Sequence, residues 1–231
     1  MQFPSPLLEG VLVKRYKRFL ADIQLSTGEF ITAHCPNSGA LLGGTTPGLR
    51  VWVSYSDDKS RKLPYTWQLV EIEGGKVGVN THLPNKLVQE AFLLNKIPEL
   101  SFYESLKPEV RYGTNSRIDF LLQKNGSPDG YLEIKNVHYK KGEFAYFPDC
   151  VTARGAKHLK ELSLLASQGV KCFVFYVLQV EGCHYFDIAR EIDPVYARGA
   201  KEAKEHGVEF LAYSCALSLE EIFLEKKVKV L

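Results

Sequence analysis

Methionine occurs once, tryptophan twice and cysteine five times in 231 residues. The cysteines, Cys35, Cys150, Cys172, Cys183 and Cys215, lie far apart and form no Cys-x-x-Cys pair. That spacing excludes a zinc knuckle, and an odd, scattered set does not read as a disulfide framework. Long apolar runs are missing too. The longest, Cys172 to Leu178, falls far short of the ~20 residues a membrane helix needs. The start of the chain, Met-Gln-Phe-Pro-Ser-Pro, lacks a charged segment leading into an apolar one. A secretory leader is therefore not expected, and a reducing, cytoplasmic location without membrane contact is. Net charge is only +2, so any nucleic-acid reading must rest on local clusters. No glycine-rich phosphate loop is present, which leaves a small-molecule or sugar enzyme without a supporting motif.

What remains is an ordinary globular composition, 45% hydrophobic and 24% charged, long enough for one large or two small cores. The first eighty residues read as strands: Gly10–Tyr16, Phe19–Leu25, Phe30–Cys35, Arg50–Ser56, Tyr65–Glu73 and Lys76–Asn80, with turns at Ser26-Thr27-Gly28 and Gly74-Gly75. Short strands with frequent turns predict a small closed barrel of the OB type, with an SH3-like barrel as the alternative. The loop Pro36 to Gly48 reads as structural or as a nucleic-acid contact. After residue 80 the pattern changes. Helical spacing marks Leu83–Leu94, Thr152–Ser167 and about Pro194–Glu205, and strands are expected at Arg117–Gln123, Tyr131–His138, Val170–Val180 and Glu209–Cys215. The expectation is an α/β fold (α+β overall), with a barrel in residues 1–80 and, in 81–231, an α/β sandwich whose mixed central sheet has a parallel pair at its centre.

Two strands carry the chemistry. In Arg117-Ile118-Asp119-Phe120-Leu121-Leu122, Asp119 alternates with Ile118, Phe120 and Leu122. In Tyr131-Leu132-Glu133-Ile134-Lys135, Glu133 and Lys135 share a face, because side chains two apart on a strand project together. If the strands pair, Asp119, Glu133 and Lys135 converge. Asp119 and Glu133 would then hold Mg²⁺ or Mn²⁺, cations that take oxygen ligands and keep several waters. Lys135 would orient the attacking water or stabilise charge on a phosphate. Glu90, on the polar side of the first helix, is a candidate third carboxylate. Alternating charge on a half-exposed strand is the bland alternative. On the second helix Arg154, Lys157, His158 and Glu161 form a polar stripe. Lys157 reads as paired with Glu161, whereas Arg154 and His158 are candidates for contacting a phosphate backbone.

Asp119 followed by Glu133-Ile134-Lys135 resembles the PD-(D/E)xK nuclease superfamily, with Ile118-Asp119 where Pro-Asp is usual. The whole chain more specifically resembles the sugar fermentation stimulation protein family. The segments that carry this are Arg15-Tyr16-Lys17-Arg18-Phe19-Leu20-Ala21-Asp22, His34-Cys35-Pro36-Asn37-Ser38-Gly39, Ser116-Arg117-Ile118-Asp119-Phe120, Glu133-Ile134-Lys135-Asn136-Val137 and Phe147–Gly155. The resemblance implies an N-terminal OB domain, a C-terminal nuclease-like domain, DNA binding with little sequence preference and a regulatory role in sugar, notably maltose, metabolism. It also implies Glu90, Asp119, Glu133 and Lys135 as the active-site set.

One further cluster stands out. Lys14-Arg15-Tyr16-Lys17-Arg18-Phe19 holds four cations and two aromatics without an acid. On a barrel, the cations would follow a nucleic-acid backbone while Tyr16 or Phe19 stacks on a base. The alternative is an edge strand guarded by charge, with Phe19 in the core. Two functions compete: a Mg²⁺-dependent nuclease acting on single- or double-stranded DNA, and a non-cleaving DNA-binding regulator. Nothing in the sequence sets the oligomeric state, a homodimer being one option.

Overall fold

The structure, a computed structural model, describes residues 1–112 and 116–231. Its first strands are β1 (Leu8–Tyr16), β2 (Leu20–Leu25), β3 (Phe30–His34), β4 (Arg50–Tyr55), β5 (Tyr65–Ile72) and β6 (Gly75–Gly78). β1 pairs antiparallel with both β2 and β4, β2 with β3, and β4 with β5. The ring is closed by a short parallel contact between β3 and β5, through Ala33↔Tyr65 and His34↔Thr66. That closure makes a five-stranded OB-like barrel with β6 as an added hairpin strand. Alternation fills it: Ala21, Ile23, Ile31, Ala33, Val51, Val53 and Trp67 are buried.

The basic run is only partly a strand. β1 ends at Tyr16, and Lys17 and Arg18 form the turn into β2 with φ of 49° and 62°. Phe19 is 45% exposed rather than in the core. Arg15 holds this turn: its guanidinium donates to the carbonyls of Arg18, Asn37, Gly39 and Ala40. The Pro36–Gly48 loop is thereby anchored to β1.

The second part contains α1 (Pro84–Leu93), β7 (Ser105–Tyr112), β8 (Ser116–Lys124), β9 (Ser127–Val137), β10 (Tyr139–Lys141) and β11 (Phe144–Phe147). It continues with α2 (Ala153–Ser167), β12 (Lys171–Leu178), β13 (Tyr185–Ile188), α3 (Pro194–Glu205), β14 (Glu209–Leu217), β15 (Ile222–Lys227) and β16 (Lys229–Val230). The main sheet runs β15-β14-β12-β9-β8-β7. Its centre is parallel across β14, β12 and β9 and its flanks are antiparallel, so the parallel core is one strand wider than the expected pair. A smaller sheet, β10-β11-β13-β16, completes the fold.

Both faces of the main sheet are covered, which explains why β12 is almost continuously apolar. Phe173, Phe175 and Val177 pack with Leu87, Val88, Ala91 and Phe92 of α1. Cys172, Val174, Tyr176 and Leu178 pack with Leu159 and Leu162 of α2 and Tyr196 and Ala200 of α3. This second core is continuous with the barrel interior. A chain of polar side chains also joins the two parts. Gln68 links Ser54 to Asn80, Gln179 donates to the Asn80 carbonyl and to Asn136, and Asn136 meets His138. His138 contacts Asp149 at 2.8 Å, and Asp149 accepts from the Leu41 amide in the barrel loop. Most buried polar groups are bonded in this way.

Candidate functional site

β8 and β9 form a hairpin around Asn125-Gly126, whose φ values of 51° and 71° suit a tight turn. Pairing runs to Phe120↔Leu132 and then stops. Beyond that point the amide of Ile134 donates to Asp119 Oδ2 at 2.7 Å, so a side chain takes the place of the next carbonyl. The strands part there: Ile118 joins the barrel-side core while Phe120 and Leu122 remain with α1. Asn85, in the first turn of α1, donates to Asp119 Oδ1 at 3.0 Å. Asp119 is thus fixed between a helix and a splayed ladder.

Leu132 and Ile134 pack toward α1, which sends Glu133 and Lys135 to the opposite face. The Lys135 ammonium donates to Glu133 Oε1 at 2.6 Å, and His158 Nδ1 contacts the same oxygen from α2. Glu133 is 3% exposed, and its Oε2 has no hydrogen-bond partner. Two more buried oxygens lack partners nearby, Tyr112 Oη and Glu161 Oε2. Burial and the negative charges of Glu133, Glu161 and Asp119 push the Tyr112 hydroxyl far up from its ordinary pKa. Unpartnered buried oxygens call for an ion or water.

The two acids are driven apart. Burial, then the charge of Glu133, raises the Asp119 carboxyl above its ordinary value. Burial would raise Glu133 as well, but the Lys135 charge and the His158 hydrogen bond outweigh it and hold Glu133 low. A depressed carboxyl stabilises the fold above its unfolded value, and that contribution is lost as pH falls through the folded one. The raised Asp119 does the reverse: its contribution is complete at low pH and lost as pH rises through its elevated pKa. In chelator-treated protein, wild type should therefore lose stability relative to Asp119→Asn on going from about pH 4 to about pH 8. Paired thermal or urea denaturation measures this; a constant difference would show that Asp119 carries no such strain.

Among the described residues, no three His, Cys, Asp or Glu side chains converge on one point. Asp119 and the free Oε2 of Glu133 nevertheless fit a hard cation that takes one or two carboxylates and keeps its waters. The structure does not bring Glu90 to them. Its carboxylate is paired with the Met1 ammonium at 2.9 Å, and the α1 side chain on Asp119 is Asn85. Five residues along a helix turn a side chain by about 140°, so the two positions face different ways. His158 is corrected as well: it is buried on Glu133 and is not part of an exposed phosphate-contacting stripe. Arg154 remains exposed, and Lys157 pairs with Glu161 at 3.7 Å. Asn85, Tyr112 and the buried Oε2 of Glu161 carried no sequence signal.

On the barrel, Lys14 pairs with Asp22 at 3.4 Å and lies over the Tyr16 ring, whose hydroxyl also donates to Asp22. Arg15 is committed to four carbonyls. Lys17 and Arg18 are exposed and make no ion pair among the described residues. They border an open cavity of about 420 Å³ with Ser38, Gly39 and Cys150, where three of the sequence segments singled out above meet.

The fold is an OB-like barrel joined to a mixed-sheet α/β domain, in which the buried Glu133 lies with Lys135 and Asp119. The chain belongs to the sugar fermentation stimulation protein family. The family model described as SfsA N-terminal OB domain matches residues 13–79, and the Sugar fermentation stimulation protein RE domain matches 82–221. A sugar fermentation stimulation protein homolog of Maricaulis maris is 48% identical over 231 residues, covering 100% of this chain and 98% of its own. One of Rhodospirillum centenum is also 48% identical over 231 residues, covering 100% and 99%. The structure of Pyrococcus furiosus SfsA in complex with Ca²⁺ matches with a TM-score of 0.90 at 27% identity, over 100% of this chain and 98% of that one. No helix among the described residues is long and apolar enough to cross a membrane.

Proposed function

We propose that this chain binds DNA with little sequence preference and hydrolyses its phosphodiester backbone with Mg²⁺ or Mn²⁺ held by Asp119 and Glu133. The observation that carries the reading is the buried, unpartnered Oε2 of Glu133, set in one cluster with Asp119 and the Lys135 ammonium. The Ca²⁺ in the Pyrococcus furiosus relative supports a hard divalent cation here. Such a cation supplies a Lewis acid for the phosphate and lowers the pKa of a water. The residues do the rest. Asp119 is oriented by Asn85 at one oxygen and by the Ile134 amide at the other. Glu133 is fixed at one oxygen and offers the other. Lys135 places its charge where negative charge grows on the phosphate. In this reading residues 1–80 grip nucleic acid, residues 81–231 cut it, and the protein works in a reducing cytoplasm, consistent with five free cysteines.

The test is single-turnover cutting of labelled single- and double-stranded DNA in Mg²⁺ or Mn²⁺, with EDTA as blank and RNA as a comparison. Cation-dependent cutting of DNA is expected; binding without cutting would leave a regulator. A second reading is a non-cleaving DNA-binding protein acting in sugar metabolism, in keeping with the family's name.

The barrel contribution is electrostatic. Because Arg15 is spent on carbonyls, Lys17 and Arg18 are the cations to remove. Lys17→Ala with Arg18→Ala should flatten the slope of log affinity against log salt by about one unit per lost phosphate contact. An unchanged slope and affinity would make this turn a solvated corner.

A further inference from the structure

We propose that His158 is the positioning residue of the cation site, holding Glu133 so that only its Oε2 is offered to the metal. The inference rests on the reading of Asp119 and Glu133 as ligands and adds a residue from a third element. Lys135 and His158 both bond Oε1, one from β9 and one from α2. The other oxygen is buried and bare. A carboxylate bonded at one oxygen from two directions cannot rotate to present either oxygen at will. A carboxylate that holds a cation is ionised and only accepts, so in this arrangement His158 Nδ1 carries the hydrogen and donates it.

The helix that brings His158 is itself pinned. Thr152 caps α2 by accepting from the Gly155 amide at 3.1 Å. The Thr152 amide donates to Asp193, which also caps α3 through the amides of Val195 and Tyr196. A Cβ on Gly155 would lie 2.9 Å from the Thr152 side chain and 3.1 Å from the Tyr196 ring, so the close approach of α2 requires glycine there. One turn further in, Leu159 and Leu162 are buried under the sheet's helix-covered face. His158 therefore approaches Glu133 on a helix fixed at its start and along its length. Outer partners of a ligating carboxylate set how well it binds; their loss typically costs about ten- to a hundred-fold in metal affinity.

The experiment compares full-length wild type, His158→Leu and His158→Asn by calorimetric titration with Mn²⁺, with a thermal melt of each. Leucine fills the space without a donor; asparagine places an amide N–H close to where Nδ1 sits. His158→Leu should bind Mn²⁺ about ten- to a hundred-fold more weakly than wild type, and His158→Asn should recover affinity to within about three-fold. A folded His158→Leu that binds like wild type overturns the inference, as does an asparagine variant as weak as the leucine one. If the leucine variant does not fold, the asparagine variant decides by the same three-fold criterion. Wild type that binds no Mn²⁺ removes the cation site itself, and this inference with it.

Discussion

Lys135→Ala should cut DNA about a hundred- to a thousand-fold more slowly than wild type in saturating Mg²⁺, while binding DNA within a few-fold of it. The Lys135 side chain is 12% exposed and its ammonium lies 2.6 Å from Glu133 Oε1, on the sheet face that carries Glu133. A charge placed there helps mainly when the phosphate gains negative charge, so its removal acts on the transition state more than on the bound substrate. Saturating cation separates this from the loss of one of the two bonds on Glu133. Single-turnover rates and filter-binding affinities measure the two quantities. A variant that loses affinity and rate equally would assign Lys135 to phosphate binding alone.

Asp119→Ala should abolish cation binding. In wild type, a cation at about a hundred times its Kd stabilises the folded state by about 2.7 kcal/mol. For a protein of this size that raises Tm by roughly 5–10 °C. Asp119 is raised by burial and by Glu133, so at neutral pH the metal-free protein carries two crowded carboxyls whose repulsion a divalent cation relieves. Without Asp119 that gain has no source. Melting curves with and without Mn²⁺ should separate for wild type and coincide for the variant; an equal shift in both would place the cation elsewhere.

Legibility in the sequence followed the periodicity of each element. α3 runs from Pro194 to Glu205 as its spacing predicts, with Asp193 as the cap, and the apolar run of β12 reads as a strand buried on both faces. β7 escaped because Lys107, Pro108 and Glu109 interrupt it, which suits an edge strand and no other position. β11 and β13 are four residues each, too short for a pattern. Residues 127–130 lie outside the strand expected at Tyr131–His138 but extend β9, because Asn125-Gly126 alone makes the hairpin.

In the site, strand alternation brought Asp119, Glu133 and Lys135 to one place, since a two-residue period fixes which side chains travel together. Helices are less informative. The stripe of α2 includes His158, but nothing in its spacing tells the flank that meets a sheet carboxylate from the flank that meets water. The same ambiguity in phase suggested Glu90, where the contact belongs to Asn85. In the basic run, composition showed four cations without showing that Arg15 serves four carbonyls and Lys14 one acid.

The central claim, a divalent cation seated between Asp119 and Glu133, is tested most directly by a crystal of the full chain grown in Mn²⁺. The account predicts an anomalous difference peak within bonding distance of an Asp119 carboxylate oxygen and of Glu133 Oε2, with the Lys135 ammonium beside it. A well-ordered site without a peak, with Glu133 Oε2 met only by water at saturating Mn²⁺, would contradict it.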